Sequence, residues 1–534
     1  GSKTYIGGAS TIDTVTDNTV SAWDLTGNQA LSNGTHNLSH VDQLNTSGDI
    51  TDKNDGNWSV SGNKIASSTN YNVVIDGTGR IVTAGSVTNT STSDQTVELN
   101  ASSLKVAEIT FDGSKTYIGS TTQTDTVEDT TGADWKVTGV KALTDDSRTL
   151  SNVDQLNASG DITDEGSTAW SVDGKNLISS ADQELTISGT RRLNTAGDIT
   201  DKDNTAWSVD GKNLISSSTQ GITVSGTKSL TTQGNITDTT NKGWAVQGDN
   251  VAFSSDNALT IDGTGQITTV GGITNDSGET QTVNLNSNNI SVAGIAFMGS
   301  TAYTGRDAND DTVVDNNKND WSLTALNTAN DGNYYLSKVG GLTSTDSTVT
   351  SSMGTQEVTI NSDHLLAGDI QFKGINTYVG SSAYDSVNDT QVSNWSVTGD
   401  YTANNTTYSF SNINEVNTTG EVTNNINADD QQVTVDGDSI FLAGIDFIGS
   451  RVFNGSADYS ELVIDSSNRD WTLAAANQLT GNGFTLNEVD QVTTEGGITD
   501  GLDSNWTLQA TGQGETSKAN SVDAGITLVN STRI

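Results

Sequence analysis

The apolar residues of this chain fall at alternate positions in short bursts. One stretch reads Ile236-Thr237-Asp238, Trp244-Ala245-Val246, Val251-Ala252-Phe253 and Leu259-Thr260-Ile261, then Ile267, with Gly, Asn, Asp and Ser between the bursts. Period-two alternation over a few residues, closed by turn formers, predicts short β-strands. No apolar stripe at helical spacing competes with it. The choice of apolar residue agrees, since Val and Ile number 73 against 30 Leu, a β-branched bias suited to strands.

The bursts repeat. The ten tryptophans, Trp23, Trp58, Trp135, Trp170, Trp207, Trp244, Trp321, Trp395, Trp471 and Trp506, stand 35, 77, 35, 37, 37, 77, 74, 76 and 35 residues apart. Each gap is near 37 or twice 37. In the four double gaps Gln95, Gln281, Gln356 and Gln431 stand in the place of Trp, each followed two residues later by Val. The chain therefore reads as about fourteen units of about 37 residues. Three consecutive blocks, 156–192, 193–229 and 230–266, begin LNASGDITD, LNTAGDITD and LTTQGNITD. The first two share TAWSVDGKNLISS letter for letter.

A larger grouping overlies this one. A leader with an aromatic residue, Gly and a D-x-V-x-D-like run recurs from Gly1, Gly113, Gly299, Gly374 and Gly449, and GSKTYIG stands at both 1–7 and 113–119. Asn530 falls where another leader would begin. Residues 1–534 are expected to form one continuous array, open at both ends, and to be a segment of something longer.

A single unit cannot bury its inward residues by itself, whereas stacked units share a narrow continuous core. The expected fold is all-β, a parallel β-solenoid, with the ten Trp and the four Gln in one structural ladder. Five strand-like pieces per unit fit either one long winding or two short ones. The chain has no Pro, so every backbone N–H can donate, as stacking between windings requires. The rival is a string of immunoglobulin-like sandwiches of about 75 residues. The single steps at Trp170, Trp207 and Trp244 would then mark half-domains, which favours the solenoid.

Charge narrows the function. The chain carries 24 Lys and Arg against 66 Asp and Glu, a net charge of −42. Nucleic acid and anionic membranes are disfavoured as partners, because both are held by clustered cations. Without Cys there are no disulfides, thiolate zinc sites or cysteine nucleophiles. No apolar run is long enough to span a bilayer.

Candidate chemistry is sparse. His36 and His40 stand four apart, which on a helix would suggest a metal pair, but the pattern around them is strand and turn, and Asn152 takes the place of His40 in the next leader group. His364 stands alone. Acidic residues recur in step at Asp52, Asp164, Asp201, Asp238 and Asp500, ending G-x-ITD, and at Asp125, Asp129, Asp311, Asp315 and Asp385 in the leaders. A file of carboxylates could hold Ca²⁺. The preferred reading is a turn-closing side chain, since Asn replaces Asp at Asn89, Asn275 and Asn424. Trp-x-Val places both side chains on one strand face, and core stacking is preferred to a carbohydrate platform. Sequons such as Asn37-Leu38-Ser39, Asn394-Trp395-Ser396 and Asn417-Thr418-Thr419 are expected by chance in so Asn-, Ser- and Thr-rich a chain. No nucleophile elbow, P-loop, dinucleotide fingerprint or zinc motif occurs. A catalytic site should be a unique break in the repeat; insertions here are only a few residues long. No catalytic residue, resident cofactor or enzyme activity is expected.

The units W-x-[LV]-T-G, the segments LSHVDQL, LSNVDQL, FSNINEV and LNEVDQV, and the G-x-ITD step resemble the β-strand-repeat regions of large bacterial secreted exoproteins, including the filamentous-haemagglutinin-type adhesins. That resemblance implies a right-handed β-helical shaft, export to the cell surface or medium, and a role in adhesion, biofilm or cell contact. The expected function is the extracellular, non-catalytic structural shaft of a bacterial surface adhesin or fibre. Its partners would be its own windings by axial stacking and, through parts outside this segment, a host or neighbouring cell. The alternatives are a protomer of an end-to-end solenoid filament and a polysaccharide-acting β-helix enzyme.

Overall fold

The computed structural model describes residues 2–428, 431–509, 518–521 and 525–529. The chain divides into two compact units, Gly1–Thr269 and Val270–Ile534. Each is a β-solenoid whose short strands lie in two facing sheets, with apolar residues turned inward.

In the first unit, one repeat shows how the sequence builds the winding. Trp170–Asp173, Asn176–Ser179 and Thr186–Ser188 form a three-stranded antiparallel meander within one sheet. The chain then crosses to the facing sheet at Arg192–Asn194, returns at Ile199–Asp201 and crosses again at Trp207–Asp210. There the next meander starts, continued by Asn213–Ser216 and Thr223–Ser225. The first hairpin of each meander is turned at Asp173-Gly174 and Asp210-Gly211, where the glycines sit at φ +58° and +60°. Asp-Gly between strands is a strong hairpin signal, and it is plain in VDGKNL.

The meanders are joined to one another by parallel pairing. Gln155 pairs with Thr186 and Arg192 with Thr223, while Trp170 pairs with Ile199 and Trp207 with Ile236. In each case the partner comes before the equivalent position of the next repeat. The solenoid is thus built on stacked parallel strands with antiparallel meanders set into the stack. One sequence repeat spans three sheet crossings, or one and a half windings. This differs from both of the expected values, because the meander uses three strands without leaving its sheet.

An odd number of crossings puts successive units into opposite sheets. Trp23, Gln95, Trp170 and Trp244 lie in one sheet of the first unit, and Trp58, Trp135 and Trp207 in the other. In the second unit Trp321, Trp395 and Trp471 share one sheet, while Gln281, Gln356 and Gln431 begin or directly precede strands of the other. The indoles therefore do not form the single column expected from the repeat. Those with a described parallel partner stand instead in register with Ile or Val of the next winding, as Trp58 does with Val87 and Trp135 with Ile162. At Trp58, Trp170 and Trp207 the register neighbour on the other side is a serine of the same meander, Ser68, Ser179 and Ser216. Alternating large and small neighbours lets the indoles fill the core without overpacking. From Trp23 to Trp471 they are at most 4% exposed.

Candidate functional site

The recurring chemistry of the molecule is a buried carboxylate that binds three stretches of backbone together. Asp164 ends the strand Ile162–Asp164 with its side chain turned inward. Its Oδ1 accepts from the Gly166 N–H and from Gln183 Nε2, both at 2.9 Å. Its Oδ2 accepts from the Thr168 N–H, the Trp170 indole N–H and the Thr195 hydroxyl, each at 2.9 Å. The carboxylate closes its own turn, fixes the indole six residues on and reaches the next winding. Asp201 repeats the pattern with Trp207 at 2.9 Å, Thr232 at 2.9 Å and Gln220 at 3.0 Å.

The Asp-to-indole bond recurs in nine pairs: Asp17–Trp23, Asp52–Trp58, Asp129–Trp135, Asp164–Trp170, Asp201–Trp207, Asp238–Trp244, Asp315–Trp321, Asp389–Trp395 and Asp465–Trp471, at 2.9–3.1 Å. Asp500 accepts from the Leu502 and Ser504 N–H groups, and the side chain of Trp506 lies outside the described residues. Burial by itself would raise the Asp164 carboxyl, but the donors from Trp170, Gln183, Thr195 and Thr168 outweigh it and hold the group below its ordinary value. At Asp17, burial is likewise outweighed, by Thr19, Trp23 and Ser21, and the carboxyl sits at about 2.

The next winding supplies a hydroxyl in most clamps: Thr83 to Asp52, Thr269 to Asp238, Ser344 to Asp315, Thr418 to Asp389 and Thr494 to Asp465. Thr83, Thr195, Thr232, Thr418 and Thr494 are each followed two residues later by a tightly packed Gly. Thr195 Oγ1 accepts the Gly197 N–H at 2.9 Å, and a Cβ on Gly197 would lie 1.7 Å from the Thr168 carbonyl oxygen.

The leader carboxylates build a second, different cluster. Asp125 accepts from the Tyr117 hydroxyl at 3.0 Å, from Asn89 Nδ2 at 2.7 Å and from the Ser120 N–H. Asp311 accepts from Tyr303 at 2.7 Å, Asn275 at 2.9 Å and the Gln281 N–H at 2.8 Å. Asp385 accepts from Tyr378 at 2.6 Å, Ser381 Oγ at 3.1 Å and the Gln356 N–H at 3.0 Å. Burial pushes the Asp125 carboxyl up, and its donors only partly offset that. The three phenols are also pushed up, by burial and by the carboxylate each one faces.

This cluster explains the Gln units. Gln95 stands in register with Asp125 of the next winding, where a Trp would stand against Ile or Val. With a carboxylate already there, Asn89 replaces the Asp of the clamp and donates to Asp125 instead of repelling it. The indole then has no acceptor to meet. Gln95, Gln281, Gln356 and Gln431 are half-buried flank residues. Spacing carries the signal: Asn89 and Asn275 stand six residues before Gln95 and Gln281, as Asp stands six before Trp.

The remaining candidates are surface features. His36 and His40 are exposed in turns, and His40 adopts φ +56°, as Asn152 does at +54°. His364 pairs with Asp363 at 2.7 Å. An open groove of about 420 Å³ in the second unit is lined by Asn288, Ser300, Asn317, Asn319, Asn333 and Tyr334 among others, donors and acceptors without an acid-base pair. Arg469 Nη1 and Asp465 Oδ1 form a buried ion pair at 2.7 Å, with the guanidinium 4.8 Å over the Phe484 ring. No protein-family model matches the chain, and neither a curated protein nor a solved structure is significantly similar to it.

Proposed function

We propose that this chain is non-catalytic structural shaft material of an extracellular bacterial surface adhesin or fibre. The observation that carries the reading is the repeated use of one side-chain group: nine Asp-to-indole clamps, each serving the winding itself. A catalytic carboxylate needs an oxygen turned toward a substrate. In Asp164 both oxygens already accept hydrogen bonds from the protein, and the same saturation leaves little for a resident Ca²⁺. The resemblance to secreted exoprotein repeats supports the extracellular setting. The acidic surface, at net charge −42, suits a solvated, self-repelling flank.

Antibody labelling of intact source cells tests location, and single-molecule stretching tests the mechanical role. The expected result is labelling without permeabilisation and stepwise unfolding at high force. Labelling confined to permeabilised cells, or release of reducing sugar from polysaccharides by the purified chain, would contradict the proposal.

A further inference from the structure

One leader cluster is built differently from its sisters. Where Asp125, Asp311 and Asp385 each face a phenol, the corresponding pair is Phe453 and Glu461, both buried in the core of the second unit. Glu461 Oε1 takes the available donors, Asn424 Nδ2 at 3.0 Å and the Ser456 N–H at 2.7 Å. Oε2 is buried and, among the described residues, has no hydrogen-bond partner. The phenol that would satisfy it is missing because residue 453 is Phe.

Among the described residues, no cation pairs with it. From the following winding Glu461 is faced by Asp490, whose Oδ2 accepts the Glu461 N–H at 3.0 Å, and by Glu488, whose carbonyl crowds Gly455 beside the carboxyl. From the preceding winding it is faced by Asn424 and by its register partner Gln431, both neutral. Asp458 and Tyr459 lie on its own loop. A buried carboxyl with an orphaned oxygen and acidic neighbours is far less costly neutral than charged.

We propose that Glu461 carries its proton at neutral pH, and that the winding from Phe453 to Asp465 loosens when that proton leaves. Burial raises this carboxyl above its ordinary value, and Asp490 and Glu488 add to the effect against the Ser456 and Asn424 donors. The sign is opposite to that at Asp17 and Asp164. An acid raised on folding contributes stability below its unfolded pKa and loses it as pH rises through the folded one. The site is therefore alkaline-sensitive where those two clamps are acid-sensitive.

The test uses the full chain with ¹³C-carboxyl-labelled Glu, the Glu461 resonance being assigned by its loss in E461Q. It should still show the protonated acid at about pH 7, well clear of the ordinary glutamate value of about 4.3. At about pH 8, amide exchange across residues 452–465 should be about tenfold slower in E461Q than in the native chain, and equal at about pH 5. F453Y, which restores the phenol, should move the resonance toward the ordinary range. The proposal is overturned if Glu461 titrates near the ordinary glutamate value, or if E461Q exchanges faster than the native chain at both pH values. If E461Q does not fold, the native and F453Y titrations are compared across all glutamate resonances: one late-titrating resonance moved by the phenol supports the proposal, and no late-titrating resonance, or none moved by the phenol, overturns it.

Discussion

Asp164 is worth more to the fold than its size suggests, because six donors from its own turn, Trp170, Gln183 and Thr195 converge on it. Asp164→Ala strips all six and leaves the buried indole N–H of Trp170 unpaired. Each orphaned donor costs about 1–3 kcal/mol, and because relaxation and water offset part of the sum, a net loss of about 4 kcal/mol is expected in urea unfolding. Charge matters as well as geometry. The Asp17 carboxyl, at about 2, and the depressed Asp164 carboxyl contribute stability that is present above their unfolded pKa near 3.9 and lost as pH falls through the folded values. Melting temperature should accordingly drop between about pH 4 and pH 2, which a calorimetric pH series would show. In the leader clusters the reverse substitution is informative. Asn89→Asp would set a second buried carboxylate against Asp125, now 2.7 Å from the Asn89 amide. It should destabilise by about 3 kcal/mol at neutral pH and recover much of that as acid protonates one of the two.

At the scale of the strand, the expected alternation and turn chemistry are seen: Ile236–Asp238, Trp244–Gly248, Val251–Ser254, Leu259–Asp262 and Gln266–Thr268 are five strands in one unit. Their pairing was harder to read. Alternation fixes which face of a strand is buried, but not which strand lies beside it, so meander and pure parallel stack share one pattern. The decisive local cue was the Asp-Gly step, whose φ-positive glycine closes a two-residue hairpin. The clamps were half legible. Turn-closing acids and core tryptophans could be read separately, yet their bond appears only once the constant spacing of six is taken as one motif. The Thr of the next winding has no local signal, because Thr195 follows Asp164 only after a full winding of chain. Its neighbour Gly197 is constrained for a backbone reason, a Cβ position 1.7 Å from the Thr168 carbonyl. Gly197→Ala must push two windings apart and should cost about 3 kcal/mol or more. Ala substitution at the open strand-end position Gly139, with no atom within 4 Å, should have little effect in the same denaturation assay.

For the molecule as a whole, the difference between the sequence repeat and the winding is the main structural fact. One repeat carries the chain through one and a half windings, so identical sequences face opposite ways. Partners in the stack, such as Trp170 with Ile199 and Arg192 with Thr223, are accordingly not repeat equivalents. This frees the core from needing like-on-like columns: Trp meets Ile or Val, and Gln meets Asp or Glu. It also gives each sheet a mixed outer surface, in a chain with 24 basic and 66 acidic residues. The absence of Cys makes the arrangement directly testable by paired cysteines on outward-facing positions. Ser171 and Thr200 are adjacent in register within one sheet of the first unit, whereas Ser171 and Ser208 occupy the same place in successive repeats but lie in opposite sheets. Oxidative cross-linking of S171C/T200C against S171C/S208C separates winding from repeat. The account predicts rapid disulfide formation in the first pair and none within the second. Cross-linking of Ser171→Cys to Ser208→Cys, with Thr200→Cys left free, would contradict it.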